Sequence, residues 1–172
     1  MSQIEKTRLY FKKKTLFPKA QLKPEVQEKR KLFIENQVNL DVKKLIFLDE
    51  SSINLGMTRL YGRAKSNERV NDYVPDIRFK RQSILSSIKL DGKQVPMIFN
   101  GTLTGEFFKK YITDFLVPTL EIDDIVVMDN CSAHKVTGIT EAIEKAGAKV
   151  LYLPPYSPDL NPIELLLSLI HI

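Results

Sequence analysis

Three acidic residues have the chemical type and the surroundings for phosphodiester chemistry: Asp49, Asp129 and Glu164. Asp49 follows the apolar run Leu45-Ile46-Phe47-Leu48, and Asp129 follows Ile125-Val126-Val127-Met128. Continuous apolar runs of this kind read as strands buried on both faces. An acid directly after each run is expected at the strand's carboxyl end, where open α/β sheets place their sites. Two carboxylates side by side repel strongly in a low dielectric unless a cation or a shared proton relieves them. Hard oxygen donors suit Mg²⁺ or Mn²⁺. A third carboxylate would complete a two-metal centre, one ion activating a nucleophile and the other stabilising the leaving oxygen of a phosphodiester. Glu164 is the candidate, because the rigid run Pro154-Pro155-Tyr156-Ser157-Pro158 is expected to bring a helix N-terminus back to the sheet edge.

Each residue also has a plainer explanation. Asp49 can simply end a strand, with Glu50 the acid that matters. Asp129-Asn130 can be turn residues before a helix, and His134 can hydrogen-bond within that helix's first turn. Asp159 can be a turn acid. Glu164 stands three residues after Asn161, the spacing of a capping box that needs no chemistry. Taken together, at strand ends in an ordered frame, the acids favour a shared site.

The frame is read from the rest of the chain. Pro24 opens a helix that runs to about Asn36. The first strand covers residues 42–48, and Ser51-Ser52-Ile53-Asn54-Leu55-Gly56 either prolongs it or turns away. Residues 83–88 and 95–100 pair as a hairpin around Asp91-Gly92. Thr104 caps a helix over 106–116 whose aromatics recur at helical spacing, and Pro118 ends it. Residues 123–129 form the second acid-tipped strand, 133–146 a helix stopped by Gly147, and 149–153 another buried strand. A final helix starts with Asn161 as N-cap and Pro162 in its first position. The fold class is α/β: a mixed five-stranded sheet, antiparallel in its first half and parallel in its second, flanked by helices. A right-handed crossover sets the strands of Asp49 and Asp129 side by side.

Composition narrows the setting. Hydrophobic residues make up 43% of 172, enough for the core of one domain of ordinary size. The single Cys131 excludes an internal disulfide and fits a reducing compartment. No signal peptide opens the chain, and no apolar run approaches the roughly 20 residues that span a bilayer. The expectation is a soluble, cytoplasmic protein with no membrane partner. The net charge is +5. Residues 1–31 carry ten Lys and Arg against three acids, so this arm is +7 and the remainder −2. Lys12-Lys13-Lys14 lie beside Tyr10, Phe11 and Phe17, an interleaving that nucleic-acid binders use. A solvated tail explains the arm equally well. The expected division is a basic arm and linker helix over 1–40 and a catalytic domain over 41–172.

Leu48-Asp49-Glu50-Ser51, Tyr61-Gly62, Val127-Met128-Asp129-Asn130 with His134, and the block Leu153-Pro154-Pro155-Tyr156-Ser157-Pro158-Asp159-Leu160-Asn161-Pro162-Ile163-Glu164 resemble the DDE transposases of the Tc/mariner superfamily, nearest to the bacterial insertion-sequence branch. The resemblance spans about residues 40–164. The Pro-rich block is its most specific part, and Glu164 lies 35 residues beyond Asp129, the interval of that family. It implies an RNase H-like fold and a metal-binding catalytic triad of Asp49, Asp129 and Glu164 using Mg²⁺ or Mn²⁺. It implies hydrolysis at transposon ends, then attack of the freed 3′-hydroxyl on target DNA. Glu50, Asn130 and His134 would support the acids or face DNA. Lys12, Lys13, Lys14, Arg63, Lys65, Arg78, Lys80 and Arg81 are candidates for phosphate contact, though a solvated face accounts for them as well. The implied partners are transposon-end and target DNA, with a homodimer as an open expectation for the parent transposase.

Two departures shape the expectation. Relatives usually carry helix-turn-helix modules ahead of the catalytic domain, and here only about 40 residues precede it. The sequence stops eight residues after Glu164, where relatives continue with a longer amphipathic helix. The reading is therefore a C-terminally truncated copy whose own activity is open. The alternative is a catalytically inactive remnant that binds nucleic acid through its basic arm. A third reading, phosphoryl transfer with Asp49 as nucleophile, is weakened by Ser51 where a second Asp is usual.

Overall fold

Aliphatic runs become the central strands of one sheet, and pairing decides how far each strand extends. The computed structural model describes residues 18–54, 56, 61–65, 68–73 and 80–168. Strand β1 (Leu45–Asn54) starts after a 3₁₀ turn at Val42–Lys44, so the first strand begins later than residue 42. It then runs through the acidic pair instead of stopping at Leu48. The reason is its antiparallel partner β2 (Arg81–Lys89), whose ladder extends from Ile46 opposite Lys89 to Asn54 opposite Arg81. That ladder pairs the backbone of the polar stretch Ser51–Asn54, which local propensity alone would not hold extended. On its other edge β1 pairs in parallel with β4 (Ile125–Met128), and only over Leu45–Phe47. Asp49 thus lies in mid-strand with respect to β2 and just beyond the end of the parallel half.

The hairpin turn forms at Gly92, which adopts a φ of 84° and donates its N–H to the Lys89 carbonyl at 2.9 Å. The returning strand β3 (Met97–Asn100) begins after Pro96, which has no N–H to give a ladder, and a single bridge joins Gln94 to Ile88. Strand β5 (Lys149–Tyr152) adds in parallel to β4, giving the order β3-β2-β1-β4-β5. This is the mixed sheet read from the sequence, antiparallel then parallel.

Helices cover both faces. Thr104 Oγ1 accepts the Phe107 N–H at 3.3 Å and caps α2 (Gly105–Tyr111), which continues through a π-helical turn at Ile112–Leu116 before Pro118. Phe108, Tyr111, Ile112 and Leu116 pack with Ile46, Leu48, Leu85, Val126 and Met128 on one face. A fully buried side chain of this size contributes about 1.5–3 kcal/mol, so this face is the main anchor of the fold. The expected helix over 133–146 is two elements: a 3₁₀ turn at Ser132–Lys135 and α3 (Ile139–Lys145). Gly138 separates them at a φ of 95°, and its N–H donates to Glu141 Oε2 at 2.9 Å, which opens α3 afresh. The opposite face gathers Leu45, Val127 and Leu153 with Phe33 of α1 (Pro24–Gln37) and Leu160. The last helix, α4 (Ile163–Leu167), buries Ile163 and Leu167 and packs beside β1. Among the described residues no helix is long and apolar enough to cross a membrane.

An ion network around a buried carboxylate holds the sheet edge where β1 and β4 begin and β2 ends. Asp124 is fully buried, accepts two hydrogen bonds from Lys89 Nζ at 3.0 and 3.2 Å, and accepts the Glu121 N–H at 2.9 Å. Lys44 Nζ stands 3.9 Å from the same carboxylate.

Candidate active site

Strand register brings the two aspartates together. Phe47 of β1 is paired with Val127 of β4. Two residues further along each chain are Asp49 and Asp129. Side chains alternate along a strand, so both follow Leu45, Phe47 and Val127 onto one face. Glu164, in the first turn of α4, comes to the same place. All three acids line one cleft of about 480 Å³, together with Asn130, Cys131, Asn161 and the turn Leu153–Pro158.

Each carboxylate is held differently. Asp49 Oδ1 accepts the Glu50 N–H at 2.8 Å, and Oδ2 accepts from Asn161 Nδ2 at 3.1 Å. Burial pushes its pKa up to about 7. The Glu50 N–H opposes that rise, and the charges of Glu164 and Asp129 add to it. Asp129 Oδ1 accepts the Cys131 N–H at 2.9 Å and contacts His134 Nδ1 at 2.6 Å. Burial pushes Asp129 up as well, but the hydrogen bonds from His134 and Cys131 outweigh it and hold this carboxyl below the usual range. The two neighbouring aspartates are thus driven in opposite directions, an arrangement common where protonation matters to function.

The supporting residues separate clearly. His134 is 1% exposed and lies against Phe108 with ring centroids 4.2 Å apart, so it backs Asp129 and does not face solvent. Asn130 Nδ2 donates to the Leu153 carbonyl and ties the end of β4 to the end of β5. Glu50 points to the opposite sheet face from Asp49 and does not line the cleft; burial raises its pKa. Arg63, Lys65, Lys80 and Arg81 are exposed, with Arg81 Nη2 donating to Ser52 Oγ at 2.6 Å. Lys12, Lys13, Lys14 and Arg78 lie outside the described residues, as do the rest of the arm before Pro18 and the last four residues of the tail.

The sequence reading missed one participant. Asn161 stands at the boundary of α4 as expected, with extended backbone ahead of a helical Pro162. Its side chain makes no cap, and neither does that of Glu164. The Asn161 carboxamide goes to Asp49 instead, while its carbonyl accepts the Glu164 N–H at 3.1 Å. Its place in a Pro-flanked turn is the signal the sequence offers, and that signal reads equally as a helix cap.

The donor set is chemically suited to a hard divalent cation. The cleft offers carboxylate and amide oxygens, and the imidazole is turned inward onto Asp129. Among the described residues, however, no three acidic, imidazole or thiol groups stand close enough together to hold an ion as they are. The acids share a cleft without forming the tight cluster expected from the sequence.

Comparison with solved structures finds the same fold. The Mos1 transposase paired-end complex with left transposon end matches with a TM-score of 0.73 and 18% identity, covering 94% of this chain and 53% of that one. The Mos1 mariner paired-end complex with Mn matches at 0.73 and 17%, covering 96% and 53%. The catalytic domain of Mos1 mariner transposase matches at 0.58 and 16%, covering 91% and 73%. The chain therefore spans about half the length of the full transposase chains it resembles, and the shared architecture is the RNase H-like sheet with its helices. No curated protein sequence matches. Residues 44–171, which contain all three acids and every strand among the described residues, match the family described as DDE superfamily endonuclease, and the chain belongs to that family.

Proposed function

We propose that this chain is the catalytic domain of a Tc/mariner-type DDE transposase, of the bacterial insertion-sequence branch, that cuts and joins DNA with Asp49, Asp129 and Glu164. One observation carries the reading: two acids at matching positions on adjacent parallel strands share a cleft with a third acid delivered by the Pro-rich turn.

When bound, Mg²⁺ or Mn²⁺ supplies activation of the attacking oxygen and neutralises charge at the leaving oxygen. The chain's own residues hold that chemistry in place. Asp129, kept ionised by His134 and the Cys131 N–H, presents a permanent negative oxygen to the cleft. Asp49 is oriented at both oxygens, by Glu50 N–H and by Asn161. Glu164 completes the set from α4. In the first step a water oxygen attacks phosphorus at the transposon end, the bond to the 3′-oxygen breaks, and that oxygen takes up a proton. In the second the freed 3′-hydroxyl attacks a target phosphodiester and displaces another 3′-oxygen.

The partners in this reading are transposon-end and target DNA, met in the cytoplasm by a dimeric transposase. Among the exposed basic residues, Arg63, Lys65, Lys80 and Arg81 are the candidates for phosphate contact. The test is nicking of supercoiled DNA with Mg²⁺ or Mn²⁺ by the parent chain and by Asp49→Asn, Asp129→Asn and Glu164→Gln. Loss of nicking by at least about 10³-fold in all three supports the assignment. Undiminished nicking in any one removes that residue from the triad.

A further inference from the structure

The segment ahead of the sheet does more than connect. Arg30 of α1 forms a two-pronged bond with Asp159, Nη1 to Oδ1 at 2.9 Å and Nη2 to Oδ2 at 2.6 Å, across 129 residues of chain. Gln21 Nε2 donates to the Tyr156 carbonyl at 2.9 Å. Phe33 and Leu160 both pack against the buried cluster of Leu45, Val127 and Leu153. Two hydrogen-bonded contacts and a shared apolar cluster therefore tie residues 21–33 to the stretch 153–160.

The start of that stretch is fixed by the sheet, with the Leu153 N–H donating to the Met128 carbonyl at 2.9 Å, and its end by Asn161 on Asp49; Asp159 lies between these two anchors. Tyr156 sits at a φ of 55°, an uncommon conformation for a side-chain-bearing residue that tertiary contacts must maintain. From there the chain is a string of linked turns: Leu160 N–H to Ser157 carbonyl, Asn161 N–H to Pro158 carbonyl, and Glu164 N–H to Asn161 carbonyl. Asp159 lies inside the turn Pro158–Leu160 that these bonds close, two residues before Asn161, which donates to Asp49, and five before Glu164.

We infer that Arg30 is a positioning residue: through Asp159 it sets the turn that delivers Asn161 and Glu164 to the cleft, so the segment over residues 18–37 is part of the active-site scaffold. A planar guanidinium fixes a carboxylate in direction as well as distance, which Lys cannot do. The bond holds the Asp159 carboxyl below its usual range. The inference rests on the function proposed above.

The experiment is a double-mutant cycle in the full chain with Arg30→Gln, Asp159→Asn and the double variant, plus Arg30→Lys. Nicking is measured at saturating DNA and as a function of DNA concentration, and amide hydrogen exchange is followed across 154–164. Each single substitution is expected to lower the saturated rate about 10- to 100-fold, as for a misplacement of about 1 Å, with half-saturating DNA changed less than about twofold. The double variant is expected to be no slower than either single one, because both break the same bond. Arg30→Lys is expected to fall between. Exchange across 154–164 should speed up in the slow variants while β4 is unchanged. Additive losses, or a weakened DNA affinity at an unchanged saturated rate, would overturn the inference and make Arg30 a phosphate contact. Asp49→Asn serves as the separate control. If the parent nicks no faster than that variant, the proposed function fails; if it does and Arg30→Gln matches the parent, only the positioning role fails.

Discussion

Asn161 Nδ2 donates to Asp49 Oδ2 at 3.1 Å, joining a residue of the Pro-rich turn to one in the central strand across 112 positions of sequence. Asn161 is 3% exposed, and its Oδ1 is buried without a hydrogen-bond partner among the described residues.

Replacing Asn161 with Ala is expected to lower stability by about 1–3 kcal/mol, because Asp49 loses a buried donor. Nicking is expected to slow by about tenfold or more, since the side chain no longer orients Asp49. Urea unfolding and the rate at saturating DNA measure the two effects. A variant as fast as the parent would mean that the Glu50 N–H alone aims Asp49.

Asp49 makes the fold pH-sensitive in a defined direction. An unfolded Asp releases its proton near pH 3.9, whereas in the folded chain burial holds the proton to about pH 7. Between those values the folded state binds more protons, so stability falls as pH rises, and the loss is complete above pH 7. The size is on the order of a few kcal/mol. Asp49→Asn is expected to melt at the parent's temperature near pH 4 and well above it at pH 8. Mg²⁺ or Mn²⁺ should raise the parent's melting temperature at pH 8 and leave Asp49→Asn little changed. Thermal melts from pH 4 to 8, with and without the ion, decide this.

Asp129 behaves in the opposite sense. Its folded pKa is depressed, burial being outweighed by His134 and the Cys131 N–H. The stabilisation is present above the unfolded pKa and is lost as pH falls through the folded one. His134→Ala is expected to cost about 1.5–3 kcal/mol at pH 7 for the charge-assisted bond, with a further loss for the void left beside Phe108. Carbon NMR of the Asp129 carboxyl should show its titration moving upward in the variant. An unmoved titration would leave the Cys131 N–H and the charge of Lys135 as the causes of the depression.

The network around Asp124 belongs to stability alone. Asp124→Ala leaves Lys89, 11% exposed at its side chain, without its main partner. Breaking one side of a buried pair typically costs about 3–5 kcal/mol. The double change Lys89→Met with Asp124→Leu is expected to recover most of that loss, as apolar replacement of buried pairs often does. Urea midpoints of the parent and the two variants give the answer, and equal midpoints for the single and double variants would show that the pair is not coupled.

Much of the site's location was legible in the letters. The apolar runs at 45–48 and 125–128, the Asp91-Gly92 turn, the Thr104 cap and the Pro-rich block gave the elements and their order, because these signals act through local sterics and through the alternation of side chains. Other features were not legible. The length of β1 beyond Leu48 depends on a ladder with β2, the break at Gly138 on a left-handed residue inside an apparently helical stretch, and the inward turn of Glu50 on which sheet face Asp49 takes.

By itself the sequence determined the strand types, the chain order and the three acids worth testing, since backbone preference and hydrophobic period are properties of neighbouring residues. Only the tertiary structure decided the partners: Asn161 with Asp49, Arg30 with Asp159, Lys89 with Asp124 and His134 with Asp129. A polar side chain at a turn has several local groups it can bond, and which bond it makes depends on what distant segment is packed beside it when water is excluded.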